Sequence, residues 1–322
     1  MSRPAPVISA IVVSWNTLRM TLDCLRSIEE DCAAIPHELI VVDNASTDGS
    51  PDAVAAAFTG ARVIRNAANL GFARANNQGI AAARGKYLAL INSDAVVLPG
   101  CMDSMLREMN EHPDIGLISP RILGRDGRLQ PNALRFPGYW NRLCESAGLS
   151  RLFPSADWLG DTRLAERHLR ATRDVDILTG CFWVARASAV DRIGPLDAGF
   201  FMYGEDMDWC RRFRRGGWRV VYHPAGSAIH FGGASSNLQP TRFFIELQRS
   251  ILRYWRKHHG RVGWLYCAAM IALHQLVRLA AGALMYAARP GRRADWAHRI
   301  RRSAACLAWL AGGRAQRSHQ AG

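Results

Sequence analysis

The chain has 322 residues, of which 49% are hydrophobic and 21% charged, and its net charge is +14. This length is enough for one large domain or two small ones with an ordinary apolar core. The charge is unevenly placed, because residues 242–322 hold 15 Lys and Arg against Glu246 and Asp295, whereas residues 1–241 are nearly neutral. This distribution excludes a nucleic-acid-binding face spread over the whole fold and indicates a neutral body with a basic extension.

The cysteines and the first apolar run both point to an intracellular body. The eight cysteines show no Cys-x-x-Cys pair and no zinc-type spacing, which favours buried thiols in a reducing compartment. The run at 7–13 is too short for the apolar region of a secretory signal. We therefore expect the body to be cytosolic.

Strands and helices alternate through the first hundred residues. Short apolar runs predict strands at 7–13, 38–42, 61–65 and 86–91, and helical spacing predicts helices at 17–28 and 71–84. This alternation is typical of βαβ units around a mostly parallel sheet, so the predicted fold class is α/β. Right-handed crossovers bring the carboxyl ends of such strands to one edge.

Polar loops follow each of the four predicted strands at that edge. They contain, in chain order, Ser14, Trp15 and Asn16; Asp43 and Asn44; Asn69, Gly71 and Asn76; and Asn92, Ser93 and Asp94. No Gly-x-Gly-x-x-Gly follows the first strand, so the dinucleotide fingerprint is absent. Asp94 lies where open α/β sheets bind ligands, although a turn residue explains it equally well. Asp43 and Asn44 also suit a helix cap.

Three carboxylates within four positions form the strongest local signal in the second half of the body. They are Glu205, Asp206 and Asp208, which follow an aromatic run and the irregular region 120–174. On a helix beginning at Gly204, the first and third share a face and the second points elsewhere. Favourable placement of acids in a first helical turn, with Arg211 and Arg212 as partners, explains the same pattern without a site.

The last candidate in the body is His230, which ends a strand and enters a glycine-containing loop. A lone histidine is more often a satisfied structural residue than a ligand, so this position carries little weight by itself.

In combination, these motifs resemble the family 2 glycosyltransferases, in particular the bacterial rhamnosyltransferase-like enzymes of polysaccharide assembly. The motifs are Val-Val-Ser-Trp-Asn, Val-Val-Asp-Asn-Ala-Ser-Thr-Asp-Gly-Ser, Asn-x-x-Asn-x-Gly-Phe-Ala-x-x-x-Asn-x-Gly and Asn-Ser-Asp, and the likeness runs from about Val7 to Gly233. The resemblance implies a GT-A fold over 1–240, with a nucleotide-binding half at about 1–120 and an acceptor and catalytic half at 121–240.

The resemblance also implies roles for the candidate residues. Asp206 would be the catalytic base beside Glu205, and Asp94 and His230 would bind Mg²⁺ or Mn²⁺. The usual Asp-x-Asp is here Asn92-Ser93-Asp94, so one carboxylate ligand is replaced by an amide. The polar loops of the first half would bind the nucleotide-sugar donor. Trp183, Tyr203 and Asp208 are expected on the acceptor side.

The implied activity is inverting transfer of a sugar from a nucleotide diphosphate to a glycan or polyprenyl-linked acceptor. Within the resembled subgroup the donor is dTDP-rhamnose, and UDP-sugars stay open. A sugar-nucleotide nucleotidyltransferase is an alternative, but it would need a Gly-rich basic loop where Ser14, Trp15 and Asn16 stand. A non-catalytic nucleotide-sugar or glycan binding protein is another alternative, but it would have lost Asp94 or Asp206.

The extension 241–322 is predicted to be helical and to associate with the membrane. Basic residues and aromatics alternate over 241–258, and an apolar stretch at 262–288 contains His274, Gln275 and Arg278. Its uninterrupted apolar run is shorter than the roughly 20 residues that span a bilayer. Such a segment suits an interfacial anchor on the inner leaflet of the cytoplasmic membrane. A helical hairpin packed on the body, or a homo-oligomer contact, explains it as well.

Overall fold

The structure is a computed structural model that describes residues 5–152, 162, 164, 166–232 and 240–312. It divides into two compact units, one formed by 1–136 with 163–238 and the other by 137–162 with 239–322. The predicted domain boundary at 240 falls beside the second junction. Residues 137–162, which the sequence placed with the acceptor half, belong to the helical unit.

The elements alternate as the sequence predicts in the first hundred residues. The strands are β1 (Ile8–Ser14), β2 (His37–Asp43), β3 (Arg62–Arg65), β4 (Tyr87–Asn92), β5 (Ala95–Val97), β6 (Ile115–Leu123), β7 (Ala133–Leu134), β8 (Arg173–Asp174), β9 (Ile177–Leu178), β10 (Phe182–Arg186) and β11 (Arg219–His230). The helices are α1 (Leu18–Asp31), α2 (Ser50–Ala57), α3 (Phe72–Ala82), α4 (Cys101–Glu111), α5 (Tyr139–Ser146), α6 (Leu149–Leu152), α7 (Ala187–Ile193), α8 (Glu205–Arg215), α9 (Pro240–Ala288) and α10 (Arg293–Leu310).

Nine strands of the first unit form one mixed sheet in the order β3-β2-β1-β4-β10-β6-β11-β5, with β8 paired to β11. β3, β2, β1 and β4 are parallel, and β6 and β11 are parallel to each other. β10 is antiparallel to both β4 and β6, so six strands run in one direction. The prediction of an α/β fold around a mostly parallel sheet is confirmed.

Both faces of this sheet are covered, which explains why the central strands are almost continuously apolar. Ile8, Ala10 and Val12 of β1 pack in a cluster with α1 and α4 residues such as Leu25. Ile11 and the tryptophans Trp183 and Trp209 belong to the cluster on α3, α8 and neighbouring strands. Along one strand, alternate side chains thus enter two different core layers.

The sequence missed one break and one long pairing. The apolar stretch 175–185, which reads as one strand in the sequence, forms two. β9 pairs with β7 in a separate two-stranded sheet, and the chain then turns at Thr179–Cys181 and enters β10. β11 extends over twelve residues and pairs with β5, β6 and β8, with register shifts that accommodate Pro224 and Gly226. Neither pairing leaves a local pattern in the sequence.

The second unit is helical. α9 is interrupted at Gly260, whose φ is +67°, and a β-carbon at that position would meet nothing within 4 Å. The ring of Tyr139 on α5 packs edge-on against Trp255 and Tyr266 of α9. Among the described residues, one helix, Thr241–Ala288, is long and apolar enough to cross a membrane.

Candidate active site

Four strand ends meet at one edge of the sheet. In the register of β1 with its neighbours, Ser14 lies opposite Asp43, and Val13 lies opposite Asn92. β11 runs in the same direction as these strands, and its last residue, His230, lies opposite Ala95. The loops that the sequence singled out are therefore brought to one edge, as parallel strands require.

The first two loops are fastened to each other. The Asn16 side-chain oxygen accepts the amide hydrogen of Thr47 at 2.7 Å, and the Asn16 amide donates to the Ser46 hydroxyl at 2.9 Å. Asp48 accepts from the amides of Leu18 and Ser50, which are first residues of α1 and α2. Asp48 thus caps two helix starts at once, a role that the sequence analysis did not assign.

Asp43 presents a buried carboxylate oxygen at this edge. The side chain is 3% exposed, and its Oδ2 accepts from the Ser46 amide at 3.0 Å. Its Oδ1 has no hydrogen-bond partner among the described residues and is shielded from solvent. Since buried polar atoms are normally paired, this oxygen is suited to accept a hydrogen bond from a bound molecule. Imide N–H and ribose hydroxyl groups are donors of that kind.

The asparagines of the next loop bond mainly to one another. The Asn44 amide group donates to the Asn69 side-chain oxygen at 2.8 Å, and the Asn44 oxygen accepts from the Leu70 amide at 2.9 Å. The Asn69 oxygen also accepts from the Gly71 amide. Asn76, which is 2% exposed, donates to the Phe72 carbonyl one turn earlier in α3. These amides fix the loop's shape, so the structure corrects the prediction that Asn76 faces the donor.

A network of buried hydroxyls supports the loop that follows β4. The Ser14 hydroxyl lies 2.9 Å from that of Thr21, and the Thr17 hydroxyl lies 2.9 Å from that of Ser93. Ser14 is 1% exposed and Ser93 7% exposed, and both hydroxyls take part in this network. The network shows how the loop after β1 holds Asn92–Asp94 in place, and the donor-binding role of Ser14 and Ser93 stays a prediction. Trp15 is half-buried beside them.

Asp94 and His230 converge although they are far apart in the chain. His230 Nε2 lies 3.3 Å from Asp94 Oδ1 and 3.3 Å from the Asn92 side-chain nitrogen. The Phe231 amide donates to the Asp94 carbonyl at 2.9 Å. On the other side of the imidazole, Nδ1 lies 3.2 Å from the Gln130 side-chain nitrogen. Gln130 was not singled out by the sequence, because nothing local marks a residue that orients a histidine 100 positions later.

Glu205 and Asp206 stand at the start of α8, where Gly204 adopts φ +79° and Tyr203 adopts φ +68°. Asp206 is half-buried, and its Oδ1 accepts from the Met207 amide at 2.8 Å. Burial raises the pKa of Asp206, and the backbone hydrogen bonds oppose that shift. A carboxylate with a raised pKa is a better proton acceptor than an ordinary Asp. Glu205 is 5% exposed, so its neighbour is the more accessible acid.

Two acceptor-side predictions are corrected by burial. Trp183 has no exposed surface, donates its ring N–H to the Leu178 carbonyl at 3.1 Å and packs on Trp209. Asp208 also has no exposed surface and pairs with Arg212 at 2.9 Å. Both residues belong to the core beneath α8. Tyr203 is half-buried in the loop before it and is left as an acceptor-side candidate.

A divalent cation fits the donor set at Asp94 and His230, because a carboxylate, an imidazole and the Asn92 amide suit Mg²⁺ or Mn²⁺ when phosphate oxygens complete the shell. Within the described part of the chain, the one group of three potential ligands close together is Glu108, Glu111 and His112. That group lies on α4 near Asn110, which accepts from Tyr87 at the start of β4. It is therefore at the opposite edge of the sheet from Asp94. Gly233–Ser236 of the predicted loop lie outside the described residues.

The fold and this edge together define a GT-A-type sugar transferase that uses a nucleotide-sugar donor. The chain belongs to glycosyl transferase family 2, whose family model matches residues 9–194. It is therefore an inverting glycosyltransferase, and the nucleotidyltransferase and non-catalytic alternatives are set aside.

Both curated proteins and solved structures are similar to this chain. An N-acetylglucosaminyl-diphospho-decaprenol L-rhamnosyltransferase from Mycobacterium tuberculosis is 29% identical over 240 residues, covering 71% of this chain and 77% of that protein. The mannosyltransferase PcManGT from Pyrobaculum calidifontis, in complex with GDP-Man and Mn²⁺, has a TM-score of 0.55 at 17% identity, covering 96% of this chain and 87% of that one. GalNAc-T7 with UDP, GalNAc and Mn²⁺ has a TM-score of 0.53 at 15% identity, covering 79% of this chain and 49% of that one.

Proposed function

We propose that this glycosyltransferase moves rhamnose from dTDP-rhamnose to a polyprenyl-linked glycan, at the cytoplasmic face of the cell membrane, in the synthesis of a cell-surface polysaccharide. The proposed sugar and acceptor rest on the similarity to the mycobacterial rhamnosyltransferase, whose name includes a lipid-linked acceptor. This chain matches 77% of that protein's length. UDP-sugars are the competing donors.

In this proposal, the edge formed by β1, β2 and β4 receives the nucleotide. The unpaired Oδ1 of Asp43 would accept a hydrogen bond from the base or ribose, because that oxygen is already desolvated and gains a partner only from a ligand. Asn16 and Asn44 act indirectly, since their side chains hold the surrounding loops. Specificity for the nucleotide would thus depend on loop shape as well as on direct contact.

Asp94 and His230 would hold Mg²⁺ or Mn²⁺, which neutralises charge on the departing diphosphate when it is bound. Asn92 lies beside the imidazole at 3.3 Å and is placed to bind ribose or water. The hydroxyl network through Thr17 keeps Ser93, and with it Asp94, in a fixed position. Preorganisation of this kind lowers the cost of meeting the charge that develops during transfer.

Asp206 would accept the proton of the acceptor hydroxyl as that oxygen attacks the anomeric carbon. The C–O bond to the diphosphate breaks on the opposite side, so the product has inverted configuration. The raised pKa of Asp206 suits proton acceptance from an alcohol better than that of a fully solvated Asp. Tyr203, which we propose for the acceptor side, and Gly204 have positive φ and directly precede the Glu205–Asp206 pair.

The test is nucleoside diphosphate release from dTDP-rhamnose, UDP-galactose, UDP-glucose and UDP-N-acetylglucosamine, each with Mg²⁺, Mn²⁺ or EDTA and with a polyprenyl-diphosphate-linked sugar as acceptor. We expect release and a rhamnosylated lipid product only with dTDP-rhamnose and metal. The variant Asp206→Asn should be inactive, and Asp191→Asn, which changes an exposed acid on α7, should retain activity. Efficient transfer from a UDP-sugar instead would overturn the proposed donor.

A further inference from the structure

The exposed apolar surface of the described residues is confined to one unit. Every large hydrophobic side chain that is exposed belongs to 137–162 or 239–322. The set is Tyr139, Trp140, Leu152, Val262, Leu265, Leu276, Val277, Leu284 and Tyr286. The sheet unit exposes none of comparable size among its described residues. Since such patches on soluble proteins mark interaction surfaces, the helical unit has a partner.

Most of this surface is one face of α9 after the Gly260 kink. Val262 is 74% exposed, Leu265 61%, Leu276 56% and Leu284 70%. Ala269, Ala280, Ala283 and Ala287 are exposed at the helical spacings between and beyond them. No charged side chain occurs between Arg261 and Arg289 except Arg278, which is partly buried and lies over the Phe244 ring at 5.9 Å. The outward face is thus apolar for about 25 residues, or roughly 37 Å.

The opposite, buried face of the same helix contains polar groups. Gln275 is 1% exposed, and neither its side-chain nitrogen nor its oxygen has a hydrogen-bond partner among the described residues. Ser303 of α10 has no exposed surface, and its hydroxyl is likewise unpaired within the described part of the chain. These polar groups, unpaired among the described residues, thus lie inside the helical unit beside apolar residues such as Ile271, while the exposed face of α9 is apolar, an arrangement that suits contact with lipid better than contact with water.

α10 packs alongside α9 and exposes several basic side chains. Ile300 of α10 packs against Gly282 of α9, and a β-carbon added at Gly282 would lie 3.0 Å from the Ile300 side chain. Arg302 lies over the Phe244 ring at 4.5 Å. Arg293, His298, Arg299 and Arg301 are exposed along α10. If α9 crossed the bilayer, α10 would carry the exposed Arg299 and Arg301 into the hydrocarbon, which is strongly unfavourable. If α9 lies parallel to the membrane, these cations stay at the headgroups.

We propose that α9 after Gly260 and α10 lie in the plane of a single anionic leaflet, with the Val262–Leu284 face in the acyl region and the α10 arginines at lipid phosphates. The basic residues select an anionic bilayer over an unrelated apolar protein, because 15 Lys and Arg oppose two acids in 242–322. The proposal deepens the membrane location in the proposed function, and it does not depend on the donor sugar or on Asp206.

The experiment is flotation of the full-length protein with vesicles of phosphatidylethanolamine and phosphatidylglycerol, compared with phosphatidylcholine alone. We expect flotation with the anionic vesicles only, weakening with salt. The variant Leu265→Gln/Leu276→Gln/Leu284→Gln should bind about tenfold or more weakly, because it removes apolar surface from the acyl region. The matched variant Ala304→Gln/Ala308→Gln, on the exposed face of α10, should float like the wild type.

The orientation of α9 in the membrane is measured by cysteine labelling in membranes of the expression host. All eight native cysteines are buried, so Arg261→Cys and Arg289→Cys provide reactive thiols at the two ends of the apolar face. We expect a membrane-impermeant maleimide to label both from the cytoplasmic side. Labelling from opposite sides would show a span and overturn the in-plane arrangement. If the triple glutamine variant floats like the wild type, the lipid contact is overturned. A wild-type protein that does not bind vesicles but forms a stable dimer, which this variant dissociates, would overturn it as well.

Donor hydrolysis separates this proposal from the glycosyl-transfer proposal. The triple glutamine variant should release nucleoside diphosphate from a soluble donor at the wild-type rate, and Asp206→Asn should float like the wild type. Loss of flotation with normal release affects only the anchor, and loss of release with normal flotation affects only the proposed chemistry.

Discussion

A β-carbon on Gly71 would lie 2.3 Å from the carbonyl oxygen of Phe201, and the same carbonyl accepts the Phe72 amide hydrogen at 2.6 Å. Gly71 also adopts φ +84°, a backbone conformation that is strained for residues with a side chain. The loop that begins α3 and the loop that leads to Asp206 therefore touch through a backbone hydrogen bond. This contact ties the start of α3 to the segment that carries Asp206, the proposed base.

Gly71→Ala should disturb this contact, because alanine adds both a steric clash and a positive-φ penalty. We expect a loss of about 1–3 kcal/mol in the free energy of unfolding and a drop in turnover larger than the drop in donor affinity. The matched control is Gly100→Ala, where φ is +78° but nothing lies within 4 Å, so only the strain is added. Denaturant unfolding and steady-state kinetics measure both effects, and equal behaviour of the two variants would contradict this role for Gly71.

The acid limb of the rate profile should report Asp206. Only the carboxylate form accepts a proton, and burial raises the pKa of Asp206, so activity should fall with decreasing pH at values above the roughly 3.9 of a solvated Asp. Asp206→Asn should lose about 10²–10⁴-fold in kcat at every pH while the donor still binds. Donor hydrolysis against pH, with calorimetric donor binding, measures this. A profile that is flat down to pH 4 would argue against the assignment.

Gln130 should matter for metal binding without contacting the metal. It lies 3.2 Å from His230 Nδ1 and so orients the ring whose Nε2 faces Asp94. Gln130→Ala should weaken Mn²⁺ binding by about 10–100-fold, as is typical of groups that orient a metal-binding histidine. Arg128→Ala, on an exposed residue of the same turn, should bind Mn²⁺ normally. Electron paramagnetic resonance of free Mn²⁺ gives the Mn²⁺ dissociation constants of both variants without an activity assay. Wild-type affinity in Gln130→Ala would exclude this role.

Glu38 should make stability depend on pH at acidic values. Burial raises the pKa of Glu38, but hydrogen bonds from Ser9 and Arg84 outweigh it, so the folded-state pKa lies below the ordinary value. A depressed pKa contributes stability above the unfolded pKa of about 4.3, and this contribution is lost as pH falls through the folded value. Glu38→Gln should therefore be less stable than the wild type at pH 7, by about 1–3 kcal/mol, with the difference shrinking below pH 4.

Urea unfolding at a series of pH values measures this difference. Glu30→Gln changes an exposed acid near the end of α1 and should follow the wild-type curve at all pH values. A Glu38→Gln curve parallel to the wild type down to pH 3 would contradict the assignment.

The sequence predicted the parts of the site that depend on strand ends. β1, β2 and β4 follow from local apolar runs, and a parallel sheet brings their ends together without further information. What the sequence could not separate is the direction in which a polar side chain points. Asn44 and Asn76 carry the same amide whether it meets a ligand or a neighbouring loop, and in the structure these amides donate to Asn69 and to the Phe72 carbonyl.

Residues that act across long chain separations were missed for a different reason. Gln130 meets His230 because the turn after β6 folds Gln130 back onto Ile122, and β6 pairs with β11; no local pattern encodes that meeting. Trp183 was expected on the acceptor side from the family resemblance alone. It is buried because β10 lies in the middle of the sheet, covered on both faces.

The position of β10 in the sheet also constrains how the chain can fold as it is synthesised. β10 separates β4 from β6, yet it is made some sixty residues after β6. Until Phe182–Arg186 has left the ribosome, β4 and β6 each have an unpaired edge. Open strand edges recruit other chains. A nascent chain stalled or cleaved before residue 186 should therefore aggregate, and one that has passed this point can join β4 to β6 through β10.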